Sequence, residues 1–327
     1  MVFPRHKVCG DCLNPNTWAI FERAGVASRI RELPHSTLHE LELRSPRGVV
    51  ARVQLPTNEH CEIGVERRLM DAALLDEAKA AGVTVCEGSA VTGLERVARG
   101  WRVRVEGRTW NVPAVVGADG RNSTVARMTR RLPRARRGRV AVETHAPLPS
   151  SFKPRVSLWL YWDGYIGLAP LSDSVLSLCI VSTPSKMAGM QRQIVSELGL
   201  NPNITWNTIA PLSRPDAQAV ADGLFLAGDA ARVVEPFTGE GTYYAMRTGE
   251  LAASCIAKWL RGEIDQEAAE REYTAKHHAV YRGRLWINQL ARLAVTVPIV
   301  GSALIHTGAM FPPALRMLAR RLNKIAD

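Results

Sequence analysis

Val115-Val116-Gly117-Ala118-Asp119-Gly120 and, later in the chain, Leu224-Phe225-Leu226-Ala227-Gly228-Asp229-Ala230-Ala231 decide the fold. Each is a short apolar run ending in glycine beside aspartate. That is the pattern of a buried strand delivering a loop to the edge of an α/β sheet where ligands collect. The first stretch continues to Ser123 and Arg127, the second to Pro236, Gly239 and Gly241. Gly239 and Gly241 open a segment running to Leu260 in which Ala245, Leu251, Ala252, Cys255, Ile256 and Trp259 recur at helical core spacing. The start of such a helix has unpaired N–H groups and a partial positive charge.

Working outward, Glu66 to Ala81 reads as an amphipathic helix with Leu69, Ala73, Leu74 and Ala78 on one stripe and Gly82 as its stop. Pro4 to Gly25 reads as a loop followed by a helix, capped by Asn16 or Thr17, with Trp18, Phe21 and Ala24 along one side. Leu38–Leu43 and Val49–Leu55 are expected as strands around Ser45-Pro46-Arg47-Gly48, followed by short strands at Thr84–Cys86 and Trp101–Val105 and an apolar run at Val112–Val116. Val140 to Leu212 is β-rich, with strands expected at Val156–Tyr161, Tyr165–Leu168 and Val175–Val181. The chain beyond Leu260 reads as helical. The pattern predicts an α/β fold with a discontinuous nucleotide domain (1–36, 62–130 and 215–262), a β-rich substrate domain of antiparallel sheet (37–61 and 131–214) and a C-terminal helical region (263–327).

The chain has 327 residues, 46% of them hydrophobic, and room for two domains. Lys plus Arg exceed Asp plus Glu by 42 − 31 = 11, which favours anionic partners. Arg127, Arg130, Arg131, Arg134, Arg136, Arg137 and Arg139 concentrate that charge. No aromatic side chains interleave with them, which argues against single-stranded nucleic acid and leaves a solvated basic loop, with contact to acidic membrane lipid as the functional alternative. Six cysteines do not form a disulfide framework in a chain of this length, and the N-terminus lacks an apolar signal core. The expected setting is cytoplasmic, with membrane association as the alternative. Leu293 to Leu315 contains no Asp, Glu, Lys or Arg, but Pro298, Gly301, Gly308, Pro312 and Pro313 break it into short helices. Arg316, Arg320, Arg321 and Lys324 then follow on an amphipathic stretch. The segment reads as a helical cap on the fold, or as an interfacial anchor.

The two Gly–Asp elements suit a flavin. Asp229 can accept hydrogen bonds from the hydroxyls of a ribityl chain, and Gly228 lets that chain approach the backbone. A helix N-terminus at Gly239–Gly241 is placed to stabilise the negative charge of a reduced isoalloxazine. Gly117-Ala-Asp-Gly with Ser123, and Gly228-Asp-Ala-Ala with Pro236, Gly239 and Gly241 after it, resemble the two flavin motifs of the hydroxylase-type FAD oxidoreductases. Pro4-Arg5-His6-Lys7-Val8-Cys9-Gly10, the run from Pro236 to Ala245, and Val65-Glu66-Arg67-Arg68 with Asp71 are similar to the geranylgeranyl reductase branch. The resemblance covers Pro4 to about Leu260. It implies FAD as cofactor, with Asp119, Gly120, Gly228 and Asp229 at the ribityl and pyrophosphate. It further implies Pro236, Gly239, Glu240, Gly241 and Thr242 facing the isoalloxazine, Lys7, Cys9 and Gly10 against the flavin, and Arg67 and Val91 towards the adenosine.

It also implies an opening glycine-rich strand-turn-helix for the ADP half, and no G-x-G-x-x-G occurs in this sequence, so the first βαβ unit is expected to be absent from this chain. The implied activity is hydride transfer from reduced FAD to a C=C of a small, hydrophobic organic substrate, with NAD(P)H or another donor as co-substrate. A hydroxylase or epoxidase, and a non-catalytic chain that binds a membrane surface or a partner, stand as alternatives. Cys9 is the candidate catalytic residue. Cys9-x-x-Cys12 with His35 and His39 superficially resembles a zinc set, but the intervening span is too long for a finger, and no metal is expected. No G-x-S-x-G elbow supports a hydrolase. His277-His278 are expected to be solvated on a charged helix.

Overall fold

The computed structural model describes residues 1–135, 138–282, 285–313 and 315–317. Arg136 and Arg137 of the basic run, and Arg320, Arg321 and Lys324, lie outside the described residues.

The two decisive stretches meet. Leu224–Leu226 pairs in parallel with Val115–Gly117, and Val220–Ala221 adds an antiparallel edge. The whole Leu224–Leu226 strand is buried, which is why its sequence is a continuous apolar run rather than an alternating one. The Val112–Val116 run is not one strand: Pro113 separates Arg108–Val112 from Val115–Gly117, and the two halves serve different sheets. The glycine-opened helix, Gly241–Leu260, packs Leu251, Ala252 and Cys255 against Phe225 and Tyr273. Thr248, fully buried on it, accepts the Gly228 N–H at 2.8 Å and donates back to the Tyr244 carbonyl at 2.7 Å. The Gly–Asp turn is thereby locked to the helix that faces it.

The β-rich part of the chain forms a seven-stranded sheet. Its order is Asn207–Ile209, Val140–Pro147, Val175–Ser182, Gly164–Pro170, Arg155–Tyr161, Glu40–Arg44 and Val50–Gln54. All neighbours are antiparallel except Arg155–Tyr161 with Glu40–Arg44, the junction where two distant parts of the chain join one sheet. One face is covered by a helix absent from the sequence-based reading, Pro184–Glu197, which buries Met187, Met190 and Ile194 at helical spacing against Ile166 and Ile180. On the other face, Ala51, Leu160, Tyr165 and Val181 pack with Val295 and Ile305 of the C-terminal helices. Those helices, Leu285–Thr296 and Pro298–Met310, are bent by 113° at the Pro298 break, and no single helix among the described residues is long and apolar enough to cross a membrane.

Several local expectations are corrected. Thr84–Cys86 forms no strand: the segment is mostly exposed, and Gly88 N–H instead donates to the Met1 carbonyl while the Glu87 carboxylate accepts the Phe3 N–H. Thr17 holds the N-cap position of the helix Trp18–Arg23 but makes no side-chain capping bond; the side-chain cap comes one turn earlier, where Asn14 accepts the Asn16 N–H at the start of the 3-10 turn Pro15–Thr17. In the next helix, Trp18–Arg23, Ile20 is buried and Ala24 lies exposed beyond its end. Within Arg67–Ala80 the buried residues are Met70 and Ala73, while Leu69, Leu74 and Ala78 are half-buried. His277 is not solvated: it is buried between Tyr273 and Tyr281, and His278 alone faces solvent. The basic run is not simply a solvated loop either. Arg131 donates to the Ala221 and Leu224 carbonyls, and Arg139 forms a buried pair with Glu235 at 2.6 Å.

Candidate functional site

One cavity of about 570 Å³ joins the Gly–Asp turn to the seven-stranded sheet. Its polar end is lined by Lys7, Cys9, Arg67, Arg121, Asp229 and Thr242, and its apolar end by Leu41, Leu158, Leu160, Ile209, Ile287 and Ile305. Of the residues read from the sequence, Lys7, Cys9, Gly10, Arg67, Gly120, Gly228, Asp229, Pro236, Gly239, Gly241 and Thr242 all line it. Three others do not. Val91 lies on the outlying sheet of Val91–Val97, Gly100–Val105 and Arg108–Val112. Asp119 is committed to its own loop: it accepts from Ser123 Oγ at 2.5 Å and from the Thr124 and Val125 N–H groups, and so joins the N-cap Ser123 in satisfying the first turn of the helix Thr124–Met128. Glu240 is fully buried, accepting from Asn288 Nδ2 at 3.2 Å and Tyr244 OH at 3.4 Å, which ties the glycine-opened helix to the C-terminal helices.

Arg67 organises the polar end. Its Nε and Nη2 donate to Asp71 Oδ1 at 3.0 and 2.8 Å, and its Nη1 donates to Cys9 Sγ at 3.6 Å and Thr242 Oγ1 at 3.5 Å. Asp71 also pairs with Arg5 at 3.2 Å, so two guanidinium groups share one carboxylate. The Arg67 charge, with burial second, holds the Lys7 ammonium below its ordinary value. Across the cavity, Arg121 pairs with Asp229 at 2.9 Å. The site therefore presents a cationic rim, suited to phosphate and to a reduced flavin.

The backbone adds the second part of the fit. Gly228 and Gly239 have φ of +57° and +68°, in the left-handed region that favours glycine. A Cβ on Gly228 would sit 3.0 Å from that of Ala245, whereas on Gly10, Gly120, Gly239 or Gly241 it would meet no atom within 4 Å. These four glycines leave bare backbone facing open space, as apposition of a planar ring and a ribityl chain requires. The residues present fit FAD. Bound there, FAD supplies hydride chemistry.

Sequence reading missed four residues. Arg121, next to Gly120, is the cation nearest Asp229. Glu62 lines the cavity, and burial pushes its carboxyl up to about 7. Glu143 and His145 face Asp11 behind the Cys9–Gly10 loop: His145 Nε2 lies 2.8 Å from Asp11 Oδ2 and 2.9 Å from Glu143 Oε1. Burial opposes charge on His145, but hydrogen bonds to the two carboxylates outweigh it and push the imidazole to about 10. Asp11, at φ +54°, also accepts from Ser177 Oγ at 3.1 Å and from the Arg67 N–H at 3.2 Å, stitching this loop to the seven-stranded sheet. Among the described residues, Asp11, Glu143 and His145 form the one group whose potential metal-ligand atoms converge, within 4.8 Å, and Cys9, Cys12, His35 and His39 do not.

Residues 5–284 match the family described as FAD binding domain. The chain belongs to that family. It has the hydroxylase-type fold of FAD-dependent oxidoreductases, and its similarities run in two directions. It is 26% identical over 362 residues to the menaquinone reductase of Mycolicibacterium smegmatis, covering 99% of this chain and 84% of that protein. It is 41% identical over 98 residues to the digeranylgeranylglycerophospholipid reductase of Methanoculleus marisnigri, covering 25% of each. The chain spans 56% of the length of a further, uncharacterised relative from Methanosarcina barkeri. In structure it is similar to PqsL, an FAD-dependent monooxygenase from Pseudomonas aeruginosa. The TM-score is 0.76 at 19% identity, covering 93% of this flavoprotein and 90% of PqsL.

Proposed function

We propose that this flavoprotein reduces a C=C bond in a long, apolar substrate, drawing electrons from NAD(P)H or another donor through FAD. The observation that carries the reading is the continuity of the cavity: the glycine-lined, cationic end suited to the flavin opens directly into a compartment walled by leucine and isoleucine. Such a compartment holds a hydrocarbon chain by burial alone, at about 0.8 kcal/mol per methylene. The names of the two reductase relatives are in keeping with a lipid-like substrate.

Reduction of a C=C adds a hydride to one carbon and a proton to its neighbour. Glu62 meets the second need. Its carboxyl, raised to about 7 by burial, is partly protonated at neutral pH and lines the same cavity, so it is placed to give that proton and regain one from solvent. Arg67 and Lys7 hold the anionic ligand, and Arg67 keeps Cys9 oriented towards the cavity through the Nη1–Sγ contact.

The test is reconstitution with FAD, anaerobic reduction, and mixing with a polyprenyl quinone or a geranylgeranyl lipid. Flavin reoxidation with a two-hydrogen mass gain in the lipid is the expected result. Reoxidation only when oxygen is admitted, with an added oxygen in the product, would replace this reading with a monooxygenase.

A further inference from the structure

The C-terminal helices have two differently used sides. Ile287, Leu290, Ala294, Leu304 and Ile305 line the cavity. On the outer side, Ile299, Met310 and Phe311 are 71%, 75% and 60% exposed, and Trp286, Leu293 and Met317 are exposed beside them. Leu304 belongs to both sets, being exposed and cavity-lining at once, so the outer apolar surface and the apolar compartment are continuous through it. Exposed large apolar side chains concentrated on one helical pair in this way mark an interaction surface.

Charge identifies what covers it. From Tyr273 to Ala326 there is no Asp or Glu, whereas Arg282, Arg292, Arg316, Arg320, Arg321 and Lys324 are all cationic. Arg282 and Arg316, both exposed, flank the helical pair in sequence. A protein partner matched to such a face would need an apolar centre ringed by acids, whereas an anionic bilayer offers that arrangement everywhere on its surface. Neither helix is long enough to cross a membrane on its own, and the two are bent by 113° at Pro298, so the pair is suited to seating at a bilayer surface rather than to forming one straight span.

We propose that the Trp286–Met310 helical pair seats on an anionic lipid bilayer, with Ile299, Met310 and Phe311 inserted, and that apolar substrate enters the cavity from the bilayer past Leu304. The entry route rests on the function proposed above; the seating does not.

The experiment is co-sedimentation of the full chain with vesicles of phosphatidylcholine containing phosphatidylglycerol, and with phosphatidylcholine alone, at low and high salt. The wild type is expected to bind the anionic vesicles and to lose most of that binding at high salt. Because the three side chains are exposed, Ile299→Ser/Met310→Ser/Phe311→Ser should fold normally, as circular dichroism and thermal unfolding would check, yet bind at least about tenfold more weakly. Absence of wild-type binding, or equal binding by the folded triple variant, overturns the proposal. So does gel filtration showing a wild-type dimer that the variant converts to monomer without any vesicle binding, which would assign the patch to a second copy. Vesicle binding with no turnover on any lipid alkene would instead leave the seating intact and remove the reductase reading.

Discussion

His277 should make the flavoprotein acid-sensitive. Its imidazole lies between the rings of Tyr273 and Tyr281, at centroid distances of 5.6 and 5.1 Å, and its Nε2 is buried without a hydrogen-bond partner. Burial, reinforced by the positive charge of Arg232 and by His278, lowers its pKa from 6.5 to about 4. A base whose folded pKa is depressed binds its proton more readily when unfolded. The stability it permits is therefore fully present above pH 6.5 and is lost as pH falls towards 4. With those two values the loss between pH 7 and pH 5 comes to about 2 kcal/mol, and the ceiling at lower pH to about 3 kcal/mol. The consequence reaches the site, because Tyr281 stacks on Tyr244 at 4.6 Å and Tyr244 is in the first turn of the glycine-opened helix. His277→Phe keeps an aromatic ring between the tyrosines and removes the titration. Urea unfolding of both proteins at pH 7 and pH 5 isolates the residue, and with an m-value near 3 kcal/mol/M the wild-type midpoint should fall by roughly 0.7 M more than that of the variant. Equal shifts in the two proteins would refute the assignment of the acid sensitivity to this ring.

Three further outcomes are expected. Arg139→Met strands Glu235, whose side chain is only 4% exposed, and should cost about 3 kcal/mol in denaturant unfolding at neutral pH; a change below about 1 kcal/mol would mean that Glu235 finds another partner. Glu62→Gln should slow lipid reduction by about tenfold to a hundredfold while leaving flavin absorbance and FAD retention unchanged, and should abolish any rate inflection near pH 7; an unaltered pH–rate profile would assign the proton to another group. Gly301→Ala places a Cβ 2.5 Å from Leu160 Cδ2 and against the Ala294 carbonyl, and should destabilise by about 1–3 kcal/mol and weaken long-chain substrates more than short ones, as thermal unfolding and competition binding would show.

What the sequence revealed and what it hid divide along a physical line. The Gly228 turn, the Leu224–Leu226 strand and the Gly241–Leu260 helix were legible because each is fixed by local demands: positive φ, continuous burial and the 3.6-residue repeat. Arg121–Asp229 and Arg139–Glu235 were not, since the partners are 108 and 96 residues apart and meet only once the sheets assemble. Thr84–Cys86 has the residues of a strand but no neighbour to pair with, and a strand does not exist without its ladder. Two misses did leave a signal. Ala269, Tyr273, His277 and Tyr281 recur at intervals of four, the mark of a buried helix face, which the adjacent polar side chains of Lys276 and His278 obscured. Likewise Thr183-Pro184 announced the start of the Pro184–Glu197 helix, with Met187, Met190 and Ile194 in register behind it.

The two Gly–Asp elements carry the sharpest form of this limit. As sequence, Asp119 and Asp229 are near equivalents, each beside glycine after a short apolar strand of one parallel pair, although only Leu224–Leu226 is buried throughout and Val116 of the other strand is exposed. The structure gives them different work because the chain leaves each aspartate by a different turn. After Asp119 come Gly120 at φ +80° and then Ser123 and Thr124, so the chain curls back and the carboxylate is consumed by the first N–H groups of the next helix. Gly228, at φ +57°, instead starts a single 3-10 turn in which Asp229 carries its carboxylate to the cavity, where Arg121 holds it while one face stays open. An aspartate that caps a helix and one that binds a ligand both accept hydrogen bonds at a glycine turn. The turn that delivers the carboxylate decides which donors reach it: the Thr124 and Val125 amides after Gly120, and the Arg121 guanidinium at the cavity after Gly228.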